Sequence, residues 1–344
     1  VKNGNVKEST SLNMGHLSSR TKTEIVALLN SVDWLEKLSG APLYGIGGSF
    51  RALGSAYVKR TGYPLFLLHG LELKSEIAMD ILASLKGDRP DVQGVPDGRR
   101  ASIGIAAEIM SSLIESSGVG KITISGTSIR DGIVAAMDNS AKPKKDPLLS
   151  ACREIAGHSQ RFEGLNELLK ECLAPVTGLF EMPDSRRLFE AACLLSDISW
   201  NEPPELRGAV AADRILALPI FSLSHKERAW LAKAVYHRYA GVKENKPTLP
   251  VFDKLLSPSE GDEALALGLG LRFALIFCAG IPDYLNAVTL VIDAKKMRFQ
   301  IAPYGMSLFD EHSLRRLEVF AKACGTELEQ VGIDEAPLLH VEVT

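Results

Sequence analysis

The chain holds 344 residues with a formal net charge of −3, of which 46% are hydrophobic and 24% charged. That length suffices for two domains with cores of their own. The near-neutral balance excludes a broad nucleic-acid-binding face but allows a local basic pocket. No run reaches the roughly 18 uninterrupted apolar residues of a membrane span; Leu265 to Ile281 comes nearest, broken by Arg272, Gly268 and Gly270. No signal-peptide pattern is visible. The five cysteines (Cys152, Cys172, Cys193, Cys278, Cys324) contain no C-x-x-C pair and read as buried reduced thiols of a cytoplasmic protein.

In chain order, Val1 to Leu12 reads as a hairpin turning at Asn3-Gly4, and Thr23 to Leu38 as one amphipathic helix with apolar residues at 25, 28, 29, 32 and 35. Leu43, Tyr44 and Ile46 read as a buried strand. Gly45, Gly47 and Gly48 then allow a sharp turn, with Ser49 at a helix N-cap position, and Phe50, Leu53 and Tyr57 mark one face of the helix that follows. An irregular stretch from Arg60 to Leu73, a helix over Lys74 to Leu85 and a loop over Lys86 to Gly98 come next. Ile103, Ala106, Ala107, Met110, Leu113 and Ile114 make one stripe of a helix over Ser102 to Ile114.

Ile122 to Ile124 reads as a short strand, and Ile129 to Met137 as a helix. Between them the Ser125-Gly126 turn repeats the grammar of the first glycine turn, with Arg130 one turn into its helix. Such turns leave backbone N–H groups aimed at one spot, which suits a phosphate, and two of them can converge on one polyanion. Asp138 to Pro147 is the best linker. Beyond it the periodicity is helical over 148–172, 185–198, 206–217, 224–239 and 260–278. Ser224 and Glu227 form a capping box at the head of the fourth segment. Val288 to Asp293 and Met297 to Ile301 alternate as a strand pair. A helix from Ser313 to Cys324 and a strand near Glu327 to Val331 close the chain.

These residues carry a resemblance to a known family. Gly45 to Leu53 (GIGGSFRAL) is similar to the G-x-G-G-T-x-x-A-L stretch of the exopolyphosphatase and guanosine pentaphosphate phosphohydrolase family. Arg99, ahead of Ile105 to Met110 (IAAEIM), resembles that family's arginine before its A-G-A-x-I-L helix, and Ser125 to Gly132 resembles its S-x-G-x-L-R-E-G motif. Ala191 to Ser199 (AACLLSDIS) resembles the A-A-L-L-H-D-I-G core of an HD-like domain, and Ala234 to Arg238 resembles its later Y-H-R segment. The likeness runs from residue 1 to about 280 and covers the last stretch less securely.

The resemblance implies an α/β fold of actin- and sugar-kinase type, a ribonuclease H-like lobe followed by an all-α HD-like domain and a small α/β appendage. The expected bounds are 1–140, 148–282 and 283–344. It places the first lobe, the phosphate loops and the catalytic glutamate upstream of Val1, so the chain reads as the back half of such a protein and none of its residues is expected to be catalytic. The expected phosphate-binding residues are Gly47, Gly48, Ser49, Arg99, Gly126 and Arg130. Ser196 stands where the HD pair has histidine, leaving Asp197 and His237 as remnants of a metal site, and no metal is expected on them.

The implied activity is release of terminal phosphate from inorganic polyphosphate or of the 5′ γ-phosphate of guanosine pentaphosphate, with Mg²⁺ as cofactor. The implied partners are polyphosphate or guanosine penta- or tetraphosphate and a second copy in a homodimer, with no membrane and no nucleic acid. The alternative is a non-catalytic polyphosphate- or alarmone-binding module whose helical domain dimerises; an HD-type phosphohydrolase is a weaker third reading. Asp131 reads as a surface acid, Trp200, Trp230, Tyr236 and Tyr239 as packing, His158 as a poorly placed ligand, and His16, His69, His312 and His340 as belonging to no constellation.

Overall fold

In the structure, a computed structural model, the described residues are 6–15, 20–86, 90–137, 146–242, 249–293, 295–329 and 332–333. The chain divides into two compact units, Val1–Ala141 and Lys142–Thr344. The residues expected as a third domain, 283–344, fall within the second unit.

The first unit is a small sheet covered by helices. Helix α1 (Lys22–Asn30) starts at a Thr21/Glu24 capping box and ends at Asn30; a separate 3₁₀ turn, Leu35–Leu38, follows, so the single helix read over 23–38 is two pieces. Strand β1 (Pro42–Ile46) leads into α2 (Gly48–Thr61), β2 (Glu72–Lys74) and α3 (Ser75–Ser84). The one-turn α4 (Asp97–Arg100), α5 (Ile103–Ser117), β3 (Lys121–Ser125) and α6 (Ile129–Met137) complete it. The strand order is β1-β3-β2, with β1 parallel and β2 antiparallel to β3. Ile122 and Ile124 of β3 are fully buried against Leu53 and Ala56 of α2, Leu82 of α3 and Ala107 of α5.

Two readings need correction here. Tyr44 and Ile46 are exposed (66% and 55%), because strand side chains alternate and the helices cover the face that carries Gly45 and Ile124. The hairpin expected over residues 1–12 is not formed in its described part: residues 6–12 hold no strand. The Asn3-Gly4 turn lies outside the described residues, as do 138–145 of the linker, His16 and His340.

The second unit is helical around one rod. Helices α7 (Pro147–Ser159) and α8 (Leu165–Leu173) replace the single segment expected over 148–172, separated at Gly164, whose φ of +74° no continuing helix can hold. Then come α9 (Ser185–Leu194), α10 (Arg207–Ala217), α11 (His225–Ala240), α12 (Pro250–Leu255) and α13 (Pro258–Phe277). The capping box read at Ser224 and Glu227 is present at the head of α11. That helix is buried on nearly every side, including Trp230 at 0% exposure, because α9, α10, α12 and α13 all pack on it.

Strands β4 (Val288–Asp293) and β5 (Lys296–Ile301) pair antiparallel. Helix α14 (Glu311–Ala323) follows, and β6 (Glu327–Leu328) and β7 (Gly332–Ile333) pair parallel with β5. Phe273 and Phe277 of α13 meet Phe299 of β5, and Phe273 meets Phe320 of α14, which ties this last piece to the helices. Cys152, Cys172, Cys193 and Cys278 are buried free thiols, and burial pushes Cys172 up to about 12, so these groups are inert packing. Among the described residues no helix is long and apolar enough to cross a membrane.

Helices α11 and α13 lie close together at Gly268, where an added Cβ would run into the Ala234 carbonyl and His237 Cβ. Neither the backbone nor the buried helix can yield. Gly268→Ala is therefore expected to destabilise the chain by about 1–3 kcal/mol in equilibrium urea denaturation.

Candidate functional site

The two glycine-bearing turns leave the sheet of the first unit at the same edge. Strands β1 and β3 run parallel with Ile46 opposite Ser125, so the chain exits at Gly47 and at Gly126 are neighbours, about one strand spacing of 4.8 Å apart. Gly47 has φ +104° and ψ 178°, a conformation open almost only to glycine, and it serves as the N-cap of α2 without any side-chain cap bond. Ser49 is thus inside the first helical turn and not the cap that its position in sequence suggested. The first helical N–H groups, from Gly48 on, have no partner within the helix.

Arg99 comes to this turn from α4. A Cβ on residue 48 would collide with the Arg99 guanidinium, so glycine at 48 makes room for that cation over the helix start. Its neighbour Arg100 instead pairs with Asp97 (2.9 Å). Gly45 makes room in the same way for the Phe50 ring, which anchors the first turn of α2 to the strand. Arg51 is exposed on α2.

The second turn is already hydrogen-bonded within itself. The Gly126 N–H donates to His69 Nδ1 (3.0 Å), the Thr127 N–H to Ser125 Oγ (3.2 Å), and the Ser128 N–H and Oγ–H to Asp131 Oδ2 (2.6 and 2.7 Å). Gly126 therefore supplies space beside His69 and a fixed turn, and its donor is taken up. Asp131 closes the head of α6, and the two Ser128 bonds hold its carboxyl below the usual carboxylate range. Arg130 is exposed at the start of α6. His69 lies 57 positions from the residue it meets, and nothing in its own neighbourhood of the sequence announces that contact.

In the second unit, Asp197 is 2% exposed and gripped from two sides. Arg161 donates through Nε to Oδ2 (3.1 Å) and through Nη2 to Oδ1 (2.9 Å), while Arg238 Nη2 donates to Oδ1 (2.9 Å). The segments around Asp197 and Arg238, separated by 41 positions, are thus neighbours. His237 does not join Asp197: its Nδ1 lies 2.9 Å from the Gly241 carbonyl oxygen, and its enclosed Nε2 has no partner among the described residues. Desolvation holds the His237 imidazole below its ordinary value. Ser196 is fully buried, and His158 is exposed on α7. Among the described residues no three His, Cys, Asp or Glu side chains gather as a metal would need.

Residues 155–331, just over half of the chain, match the family described as "Exopolyphosphatase, C-terminal". The match lies within the second unit and runs through the strand pair and α14, further than the sequence motifs reached. A search of curated proteins returns no match.

Two substitutions test this second-unit arrangement. Asp197→Ala leaves the buried Arg238 guanidinium without its counter-charge and is expected to cost about 3–5 kcal/mol in denaturant unfolding. His237 titrates lower when folded than when unfolded, so acidification through about pH 6.5 protonates the unfolded chain first and lowers stability. His237→Asn keeps a donor for Gly241 and removes that titration. Between pH 7 and 5.5 its melting temperature is expected to fall less than that of the unmodified chain.

Proposed function

Because the chain belongs to the exopolyphosphatase C-terminal family, we propose that its first unit grips phosphate groups of inorganic polyphosphate or guanosine pentaphosphate within a hydrolase that cleaves phosphoanhydrides. The observation that carries this is the Arg99 guanidinium laid over Gly48 at the head of α2, beside the turn that β3 delivers to the same edge. Cleaving a phosphoanhydride requires that charge on the phosphoryl oxygens be held by cations and by N–H dipoles. Gly47 shapes the turn, Gly48 and Ser49 present N–H groups, Arg99 supplies charge in contact with the turn, and Arg130 adds charge from its rim.

A general base for the attacking water is a separate requirement. Asp131 does not suit it: its carboxylate is committed to Ser128 and held in the ionised, weakly basic form. The family resemblance assigns that role to a glutamate outside these residues, along with the Mg²⁺ that accompanies polyphosphate. The described residues at the turns do not assemble a carboxylate cluster for the ion, so their own contribution is donors and cations. The same observation favours a second reading, a module that binds polyphosphate or an alarmone without turning it over.

Calorimetric titration with tripolyphosphate, alongside a phosphate-release assay, separates the two. Saturable binding is expected, weakened about tenfold or more in Arg99→Ala. Gly48→Ala, which pushes only the flexible end of Arg99 aside, should weaken it comparably without loss of melting temperature. Release is assayed on a protein that includes the region expected to carry the general base: phosphate release there supports the hydrolase, and binding without release supports the module. Affinity indifferent to Arg99→Ala would sink both.

A further inference from the structure

A cavity of ≈ 800 Å³ opens in the second unit among α10, α11 and α13. Five cationic side chains line it, Arg161, Arg207, Lys233, Arg238 and Arg272, against the carboxylates of Glu205 and Asp262 and with Asp197 pairing Arg161 and Arg238. In a chain of net charge −3 this is a local reversal of sign. Lys233 is 9% exposed, and desolvation depresses both it and Arg272, with Asp253 and Asp262 offsetting part of that effect at Lys233. An anion entering the cavity relieves that cost.

A second feature narrows the ligand. His237 is 7% exposed, lines the same cavity, and holds its Nδ1 against the Gly241 carbonyl. A carbonyl only accepts, so Nδ1 carries the proton and Nε2 presents a lone pair. Among the described residues that lone pair has no partner and is closed off from solvent, so a donor on a bound ligand satisfies it once the cavity wall gives way beside it. An ionised phosphate chain has no donors; a nucleoside has ribose hydroxyls and, on most bases, an amino group. Trp200, expected to be packing, is instead 41% exposed and forms part of the wall, giving a base a surface to stack on.

We propose that this cavity is a second ligand site, for a phosphorylated nucleoside: phosphates on Lys233 and Arg272, a nucleoside hydroxyl or amino group donating to His237 Nε2, and the base against Trp200. The site is independent of the first-unit grip.

The test uses the full chain carrying Arg99→Ala, which disables the first-unit site, and titrates it calorimetrically and by tryptophan fluorescence. GTP and ATP are run beside tripolyphosphate and free guanosine. Either nucleotide is expected to bind saturably and quench fluorescence, with tripolyphosphate at least about tenfold weaker. Trp200→Ala should weaken the nucleotide about tenfold and leave tripolyphosphate unchanged. Trp200→Phe should keep affinity and abolish most of the quench, and Lys233→Met should weaken every phosphorylated ligand. Equal affinity for tripolyphosphate and nucleotide, indifference to Trp200→Ala, or no saturable nucleotide binding at millimolar concentration each overturns the proposal. None of these outcomes bears on whether Arg99 governs tripolyphosphate binding in the unmodified chain, so the two readings fail separately.

Discussion

The parallel pairing of β1 with β3 is the constraint on which the first unit's chemistry rests. Two parallel strands leave their sheet at the same edge; antiparallel ones would have sent the two turns to opposite ends. The register is fixed from inside. Ile122 and Ile124 are fully buried on the helix-covered face, and a slip of one residue would turn both to the other side. Core packing thus sets the register, and the register sets Gly47 beside Gly126. Two close approaches finish the arrangement, Phe50 over Gly45 and Arg99 over Gly48, each needing a residue without a Cβ.

Much of this was legible because it is local. A strand, a glycine turn and a helix occupy consecutive residues at 42–61 and again, without the second glycine, at 121–137. The helix over 129–137 and the capping box at Ser224 and Glu227 follow from short-range pattern and were read as they stand. What escaped was long-range. An apolar run cannot say which face of its strand is covered, so Tyr44 and Ile46 looked buried. Three residues of β2 exist as a strand only because β3 lies alongside, and the sequence there looked irregular. The most consequential miss was donor occupancy. Which N–H groups of the 126–128 turn remain unclaimed depends on His69, from a distant loop, as much as on Ser125 and Asp131 close at hand.

In the second unit the segments that carry the motif likeness are neighbours whose contacts differ from those of a metal-binding pair. The stretches around 191–199 and 234–238 do meet, through Arg238 and Asp197. Where a metal-binding arrangement would set carboxylate and imidazole on one cation, Asp197 is neutralised by two guanidiniums and His237 turns its Nδ1 to Gly241. Arginine suits this place because its planar fork satisfies both carboxylate oxygens and keeps its charge when buried. The Ser199 N–H donates to Tyr239 Oη (3.1 Å) and Arg214 Nη1 donates to the Ile198 carbonyl oxygen (2.6 Å), which holds the Asp197 turn in place from behind.

The sign of the field then decides what kind of ligand this half can take. A unit charge about 6 Å from a dication at an effective dielectric near 20 is worth about 5 kcal/mol. A divalent metal drawn to the His237 lone pair would meet that repulsion from each cation at such a distance, with Asp197 already committed. The same cations attract a phosphorylated ligand, and their desolvation is eased when it arrives. Serine at 196, where the metal-binding pattern that the segment resembles has histidine, and two guanidiniums on Asp197 thus leave an arrangement that disfavours a cation. Under the proposal above the imidazole serves as a neutral acceptor that distinguishes a ligand carrying a donor from one that does not.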